Sequence, residues 1–245
     1  MAFVPYTQPH KATFKRRYKR FLVDVLLEGD DDVTVVHTSN TGGMTGLLND
    51  GCDALLSYHD VKTRKLKYGL EALHVGTSWV GVNTHLANKI AKAVLQDGDL
   101  DDLAGYPDVK PEKKVDVDGH TSRIDFFLSG HDSEPDAYVE VKSVTLREGK
   151  HALFPDAVSE RGRKHLLALT TLKKQGHRTG MLYLVQRSDC ERFAPAFNVD
   201  PAYAQALQDA VDAGVEVWAL ACDIDETGVT TTTLLPVDLD EAALA

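Results

Sequence analysis

The hydrophobic pattern changes period at Thr84, and that change separates two kinds of structure along the chain. Before Thr84 the apolar residues come in short runs broken by turn residues. Residues 21–27 are apolar around Asp24, Gly29-Asp-Asp-Asp32 turns the chain, and residues 33–37 follow. Residues 52–57, 65–73 and 79–82 continue the pattern, so the first third predicts a small β-barrel or meander. From Thr84 the spacing of Leu86, Ile90, Ala91, Val94 and Leu95 is helical, with Thr84 placed as N-cap. Strands are expected over 109–117, 122–128 and 138–144. A helix is expected from Ser159 to about Gln175, with Leu166, Leu167, Leu169 and Leu172 inward and Gly176 at its end. A strand (181–185), a helix (201–213, stopped by Gly214) and a strand (215–221) complete the order α-β-β-β-α-β-α-β, which builds a mixed sheet with helices on its faces. The fold class is therefore α/β (α+β). A barrel domain is expected over 1–80 and an α/β domain over 81–245.

A chain of 245 residues can bury a core in each part, and 43% hydrophobic with 26% charged residues is an ordinary globular composition. No apolar run approaches the roughly 20 residues that span a bilayer, and the polar, then basic, start of the chain does not resemble a signal peptide. Cys52, Cys190 and Cys222 lie far apart, without metal-ligand spacing, which suits a reducing cytoplasm; Cys190 and Cys222 read as core or near-core residues. The net charge of −10 is unevenly spread. Six basic residues and no acidic one lie between Lys11 and Arg20, whereas twelve acidic residues and only Arg192 lie beyond position 188. A local basic patch sets phosphate affinity more than net charge does. The bias to Asp, 26 against 11 Glu, is compatible with a high-salt cytoplasm.

The segment Tyr138-Val-Glu-Val-Lys-Ser143 carries the most chemistry. On a strand Glu140 and Lys142 share one face, while Val139, Val141 and Val144 serve the core. Ser122-Arg-Ile-Asp-Phe-Phe127 precedes it across a turn-rich loop, and an antiparallel pairing of the two brings Asp125 beside Glu140. Two carboxylates so close repel unless a cation lies between them. Mg²⁺ or Mn²⁺ supplies that charge, and a neighbouring lysine can orient water and offset charge developing on a phosphate. An isolated Glu-x-Lys is more often a strand-edge salt bridge; the upstream Asp in this element order is what favours the metal site.

That arrangement resembles the PD-(D/E)xK nuclease superfamily. The flanking segments narrow the resemblance: Arg17-Tyr-Lys-Arg-Phe-Leu-Val-Asp24, His37-Thr-Ser-Asn-Thr-Gly42, Met44-Thr-Gly46, Val82-Asn-Thr84, Ala87-Asn88, Ser122-Arg-Ile-Asp-Phe126, the run from Tyr138 to Leu146, Phe154-Pro-Asp-Ala-Val-Ser-Glu-Arg-Gly162 and Lys164-His-Leu166 are together similar to the sugar fermentation stimulation protein (SfsA) family. The likeness runs from about Tyr18 to Pro236. It implies an N-terminal OB-like barrel, a restriction-endonuclease-like C-terminal domain and a DNA-binding role. By the family motif, Glu112 in Lys110-Pro-Glu-Lys113 is a further catalytic and metal-binding residue beside Asp125 and Glu140. The chain departs from the family at Ser39, where proline is usual, and at Ala93, where glutamate is common.

Two basic groups are candidate DNA contacts. Arg161, Lys164 and His165 open the helix after Ser159, where cations oppose the helix dipole unless anions come to them; pairing with Glu160 and Asp156 on a solvated face is the plainer explanation. In Lys15-Arg-Arg-Tyr-Lys-Arg20, strand alternation puts Arg16, Tyr18 and Arg20 on one face and Lys15, Arg17 and Lys19 on the other, suiting either a backbone groove or a solvated edge strand. The Gly- and Thr-rich loop holding Asn40 could offer backbone N–H groups to a phosphate. The ten histidines show no ligand-like pairing. The expectation is thus a cytoplasmic DNA-binding protein, on duplex or single strands, with a Mg²⁺- or Mn²⁺-dependent phosphodiesterase site of Asp125, Glu140, Lys142 and Glu112. A non-enzymatic DNA-binding regulator is the main rival, and a metal-dependent enzyme of small phosphorylated substrates the lesser one. No membrane partner is expected, and a homo-oligomer is left open.

Overall fold

The structure is a computed structural model and describes residues 1–117 and 119–244. The chain opens with a short strand, β1 (Phe3–Pro5), followed by β2 (Pro9–Tyr18), β3 (Leu22–Leu27), β4 (Val33–His37), β5 (Asp53–Tyr58), β6 (Tyr68–Val75) and β7 (Ser78–Gly81). Strands β2 to β7 form a six-stranded sheet in the order β4-β3-β2-β5-β6-β7, curled so that β4 also pairs with β6. Closure removes the exposed edges an open sheet would leave. Phe14, Val23, Val25, Val36, Leu56, Leu70 and Val80 fill its interior. A bulge between Phe14 and Arg16 interrupts β2. The basic run does not alternate to Arg20 as expected: the strand stops at Tyr18, and Lys19 and Arg20 turn with positive φ. The sixth strand begins at Tyr68, later than the expected Lys65.

Helix α1 (Thr84–Asp97) follows, capped by the Asn83 side chain, which accepts from His85 N; the cap is therefore one residue before the expected Thr84. Then come β8 (Asp108–Val117), β9 (His120–Ser129), β10 (Ala137–Val144), β11 (Leu146–Glu148), β12 (His151–Phe154), α2 (Glu160–Lys174), β13 (Arg178–Val185), β14 (Arg192–Pro195), α3 (Pro201–Asp212), β15 (Glu216–Ile224) and β16 (Gly228–Leu235). Seven strands make one sheet, β1-β16-β15-β13-β10-β9-β8, in which β10, β13 and β15 run parallel and the outer pairs antiparallel. Residues 3–5 thus belong to the edge of this sheet and not to the barrel. A small third sheet, β11-β12-β14, was not foreseen in the sequence.

Alternation along the central strands decides which helix covers which face. Leu182, Leu184, Val139 and Val141 pack with Leu86, Ile90 and Val94 of α1. Met181, Tyr183, Val185 and Tyr138 pack with Leu166 and Leu169 of α2 and Leu207 of α3. Leu167, expected inward, is 63% exposed, because it falls on the outer face of α2. Cys190 and Cys222 are buried, as expected. Among the described residues no helix is long and apolar enough to cross a membrane.

Candidate metal and phosphate site

The site forms where two strands part. The antiparallel ladder between β9 and β10 runs through Ala137↔Leu128, Tyr138↔Phe127 and Val139↔Phe126 and ends there. Past that point the backbone N–H of Val141 donates to Asp125 Oδ2 at 2.9 Å, so a side chain takes the place of the next strand partner. Asn88, from the first turns of α1, donates to Asp125 Oδ1 at 3.2 Å. On β10, Glu140 is 1% exposed. Lys142 Nζ donates to its Oε1 at 2.5 Å, and His165 of α2 meets the same oxygen through Nδ1. Glu140 Oε2 takes only a long contact, 3.4 Å, from the Asp125 backbone N–H. The Glu140–Lys142 ion pair named as the plainer explanation is therefore present, and it coexists with Asp125 at the same spot.

The electrostatics set the two carboxylates apart. Burial, and then the Glu140 charge, push the Asp125 carboxyl above its usual range. Burial also works against ionised Glu140, but Lys142 and His165 outweigh it and hold that carboxyl below its ordinary value. A dication beside Asp125 would favour its ionised form, which burial and Glu140 disfavour. Among the described residues no group of three or more His, Cys, Asp or Glu side chains is placed to hold a metal. The oxygen donors available to a metal at this point are the Asp125 carboxylate and Glu140 Oε2, and any ion there would need water or ligand oxygens to complete its shell.

The carboxylates line a cleft of about 480 Å³ between barrel and sheet domain, with Arg20, Asn40, Asn88, Lys142, Asp156 and Arg161 among its walls. Asp156, on the loop after β12, accepts from Met44 N at 3.2 Å and so ties the sheet domain to the barrel's 40–46 loop. A Cβ on Gly42 would lie 2.6 Å from the Asp156 carboxylate, so a larger residue there would push that side chain off the loop. Ser39, at the position where the family usually has proline, accepts from Thr84 N (3.1 Å) and bonds Asn83 Oδ1 (2.9 Å), bridging the barrel to α1.

The structure sorts the expected DNA contacts. Arg20, Asn40 and Arg161 line the cleft. Arg17 instead spends its guanidinium on the carbonyls of Arg20, Asn40 and Gly42, holding the cleft wall. Arg16 pairs with Asp24 and lies over the Tyr18 ring, and Lys15 pairs with Asp50. Lys19 and Lys164 are exposed side chains away from the cleft lining. Glu112 sits in β8 at the level of Asp125, with positive φ; its exposed carboxylate pairs with Arg123 at 3.1 Å. Ala93 packs against the core under α1. Asn88 was missed as a site residue, although it stands in a segment already singled out, Ala87-Asn88. His165 was expected only as one of the cations opening α2, and the structure sets its ring against buried Glu140.

A closed barrel joined to a mixed α/β domain, with an acid–acid–lysine cluster at their junction, defines an OB-plus-α/β protein. Comparison with known proteins agrees. Residues 16–82 match the SfsA N-terminal OB domain, and residues 85–228 the sugar fermentation stimulation protein RE domain. The chain belongs to the SfsA family. Similar proteins include sugar fermentation stimulation protein homologs from Jannaschia sp. (45% identical, covering 93% of each chain) and Roseobacter denitrificans (44%, covering 93% of this chain and 96% of that one). The structure of Pyrococcus furiosus SfsA in complex with Ca²⁺ superposes with a TM-score of 0.87 at 25% identity, over 97% of this chain and 99% of that one.

Proposed function

We propose that the chain binds DNA and, with Mg²⁺ or Mn²⁺ held by Asp125 and Glu140, hydrolyses phosphodiester bonds in the cleft. The observation that carries this reading is the junction of Asp125, Glu140 and Lys142 where the β9–β10 ladder opens into the cleft. The Ca²⁺ complex of the Pyrococcus furiosus protein supports a divalent cation, since Ca²⁺ shares the preference for oxygen ligands. When bound, such an ion supplies Lewis acidity to a phosphate oxygen and lowers the pKa of bound water. The chain's own residues do the rest. Asn88 and Val141 N fix the Asp125 carboxylate, and His165 fixes Glu140. Lys142 holds the attacking water and offsets charge growing on the phosphorus. Arg20 and Arg161 contact flanking phosphates, and Glu112 joins as a ligand on leaving Arg123. The test is incubation of plasmid and single-stranded DNA with Mn²⁺, using the parent, Asp125→Ala and Lys142→Ala. Cleavage by the parent alone supports the reading, and equal cleavage by the variants sinks it.

Among the described residues no group of three or more His, Cys, Asp or Glu side chains is placed to hold a metal, which favours a second reading, a DNA-binding regulator without turnover. It expects salt-sensitive DNA binding that chelator leaves unchanged, and no products.

A further inference from the structure

The barrel wall beside the cleft carries a cationic and aromatic surface that the reading above leaves unused. Where β4 closes on β6, His37 pairs with Gly69. A Cβ at Gly69 would lie 3.1 Å from Arg64 Nη2 and 3.8 Å from His59 Nε2, so a guanidinium and an imidazole converge over bare backbone. Arg64 is steadied by the Leu66 carbonyl at 2.8 Å and not by a carboxylate. Phe21 is 44% exposed, its ring parallel to that of His37 with centroids 6.3 Å apart. On the neighbouring helix, exposed Lys89 directly follows Asn88 of the cleft wall.

These groups act on one another. Burial, then Arg64 and His85, lower the His37 imidazole; burial, then Arg64 and Lys89, lower that of His59. The acid that feels Arg64 and Lys89 is Glu71, which is buried and bonded to Asn83 at 2.8 Å. In a chain of net charge −10, a surface whose cations press on each other can attract an anionic ligand. It is continuous with the cleft, because Arg20 lines the cleft and Phe21 follows it.

We propose that this surface carries the single-stranded part of a DNA substrate. A backbone phosphate lies over Gly69 between Arg64 and His59, a base stacks on Phe21, and the strand runs past Arg20 and Asn88 into the cleft. The inference rests on the cleft being a DNA site and names the form of DNA it takes. A single strand fits better than a duplex, because an exposed ring beside cations stacks unpaired bases whatever their sequence, and bases in a duplex have no free face to offer.

The test measures binding of a labelled oligo-dT and of a matched duplex to the full-length protein by fluorescence anisotropy, with chelator, across a salt series. The expected result is tighter binding of oligo-dT by the parent. Phe21→Ala should weaken it by about fivefold or more without changing the salt slope, and Phe21→Tyr should restore it. Arg64→Gln and Lys89→Gln should each reduce the slope of log K against log salt by about 0.7. Melting temperatures within a degree or two of the parent confirm that the variants fold. Parent-like oligo-dT binding by Phe21→Ala and Arg64→Gln overturns this surface, and so does equal loss on duplex in Phe21→Ala. If the surface variants lose binding while Asp125→Ala cuts as well as the parent, the nuclease reading falls and this one stands. A parent that binds neither DNA overturns both.

Discussion

Replacing Lys142 by methionine isolates what holds a buried carboxylate in this fold. Glu140 is 1% exposed, and its Oε1 is held by Lys142 Nζ at 2.5 Å and by His165. Removing one partner of a buried pair costs about 3–5 kcal/mol, and His165 remains to share the load, so the low end, about 3 kcal/mol, applies. In a chain of 245 residues each kcal/mol moves Tm by about 2–4 °C, which predicts a fall of about 6–12 °C without metal. The pH dependence has a definite sign. The Glu140 carboxyl lies below its ordinary 4.5 when folded, so its stabilising contribution is full above pH 4.5 and is lost as the pH falls through the depressed folded value. Lys142→Met should therefore be most destabilised near neutral pH and approach the parent in acid. Apolar replacement of a whole buried charge cluster is close to neutral, and since His165 would otherwise lose its partner, Glu140→Leu with Lys142→Met and His165→Leu should return to within about 1 kcal/mol of the parent. Urea denaturation across a pH series from neutral into acid, with chelator present, measures all of this. A single variant within about 1 kcal/mol of the parent at pH 7, or a triple variant no better than the single, would refute the reasoning.

Other consequences concern Asp125, Arg17 and the divalent ion. Asp125 has its carboxyl raised by burial and by Glu140, so the ionised form opposes folding above that raised value; Asp125→Asn should melt higher than the parent at pH 7 with chelator, the gain vanishing below about pH 4, as differential scanning calorimetry would show. Mn²⁺ at a hundredfold excess over its Kd should stabilise the parent by about 2.7 kcal/mol and leave the Asp125→Asn melting temperature unmoved; equal shifts in both would place the ion elsewhere. Arg17→Ala removes three hydrogen bonds to backbone carbonyls and should cost about 2–3 kcal/mol in urea unfolding, with no change in the salt slope of DNA binding. A change of slope would show that Arg17 contacts phosphate.

What the sequence determined by itself was local and periodic. The helical spacing of Leu86, Ile90 and Val94, the start of a helix at Ser159, the stops at Gly176 and Gly214, and the placing of Glu140 and Lys142 on one strand face all follow from backbone geometry that neighbouring residues dictate. The Asp125–Glu140 proximity was legible because one hairpin joins their strands. Tertiary structure alone decided the rest. Asn88 reaches Asp125 across 37 positions and His165 reaches Glu140 across 25, distances at which no periodicity carries information. The fate of the basic run was equally hidden. A β-bulge and two residues of positive φ turn Arg17 onto the 40–42 carbonyls and Arg20 into the cleft, and neither follows from strand alternation. Charge could be counted along the chain, but what each cation faces depends on where distant strands close. The barrel closure at His37 and Gly69, which brings Arg64, His59 and Phe21 to one surface, exists only in three dimensions.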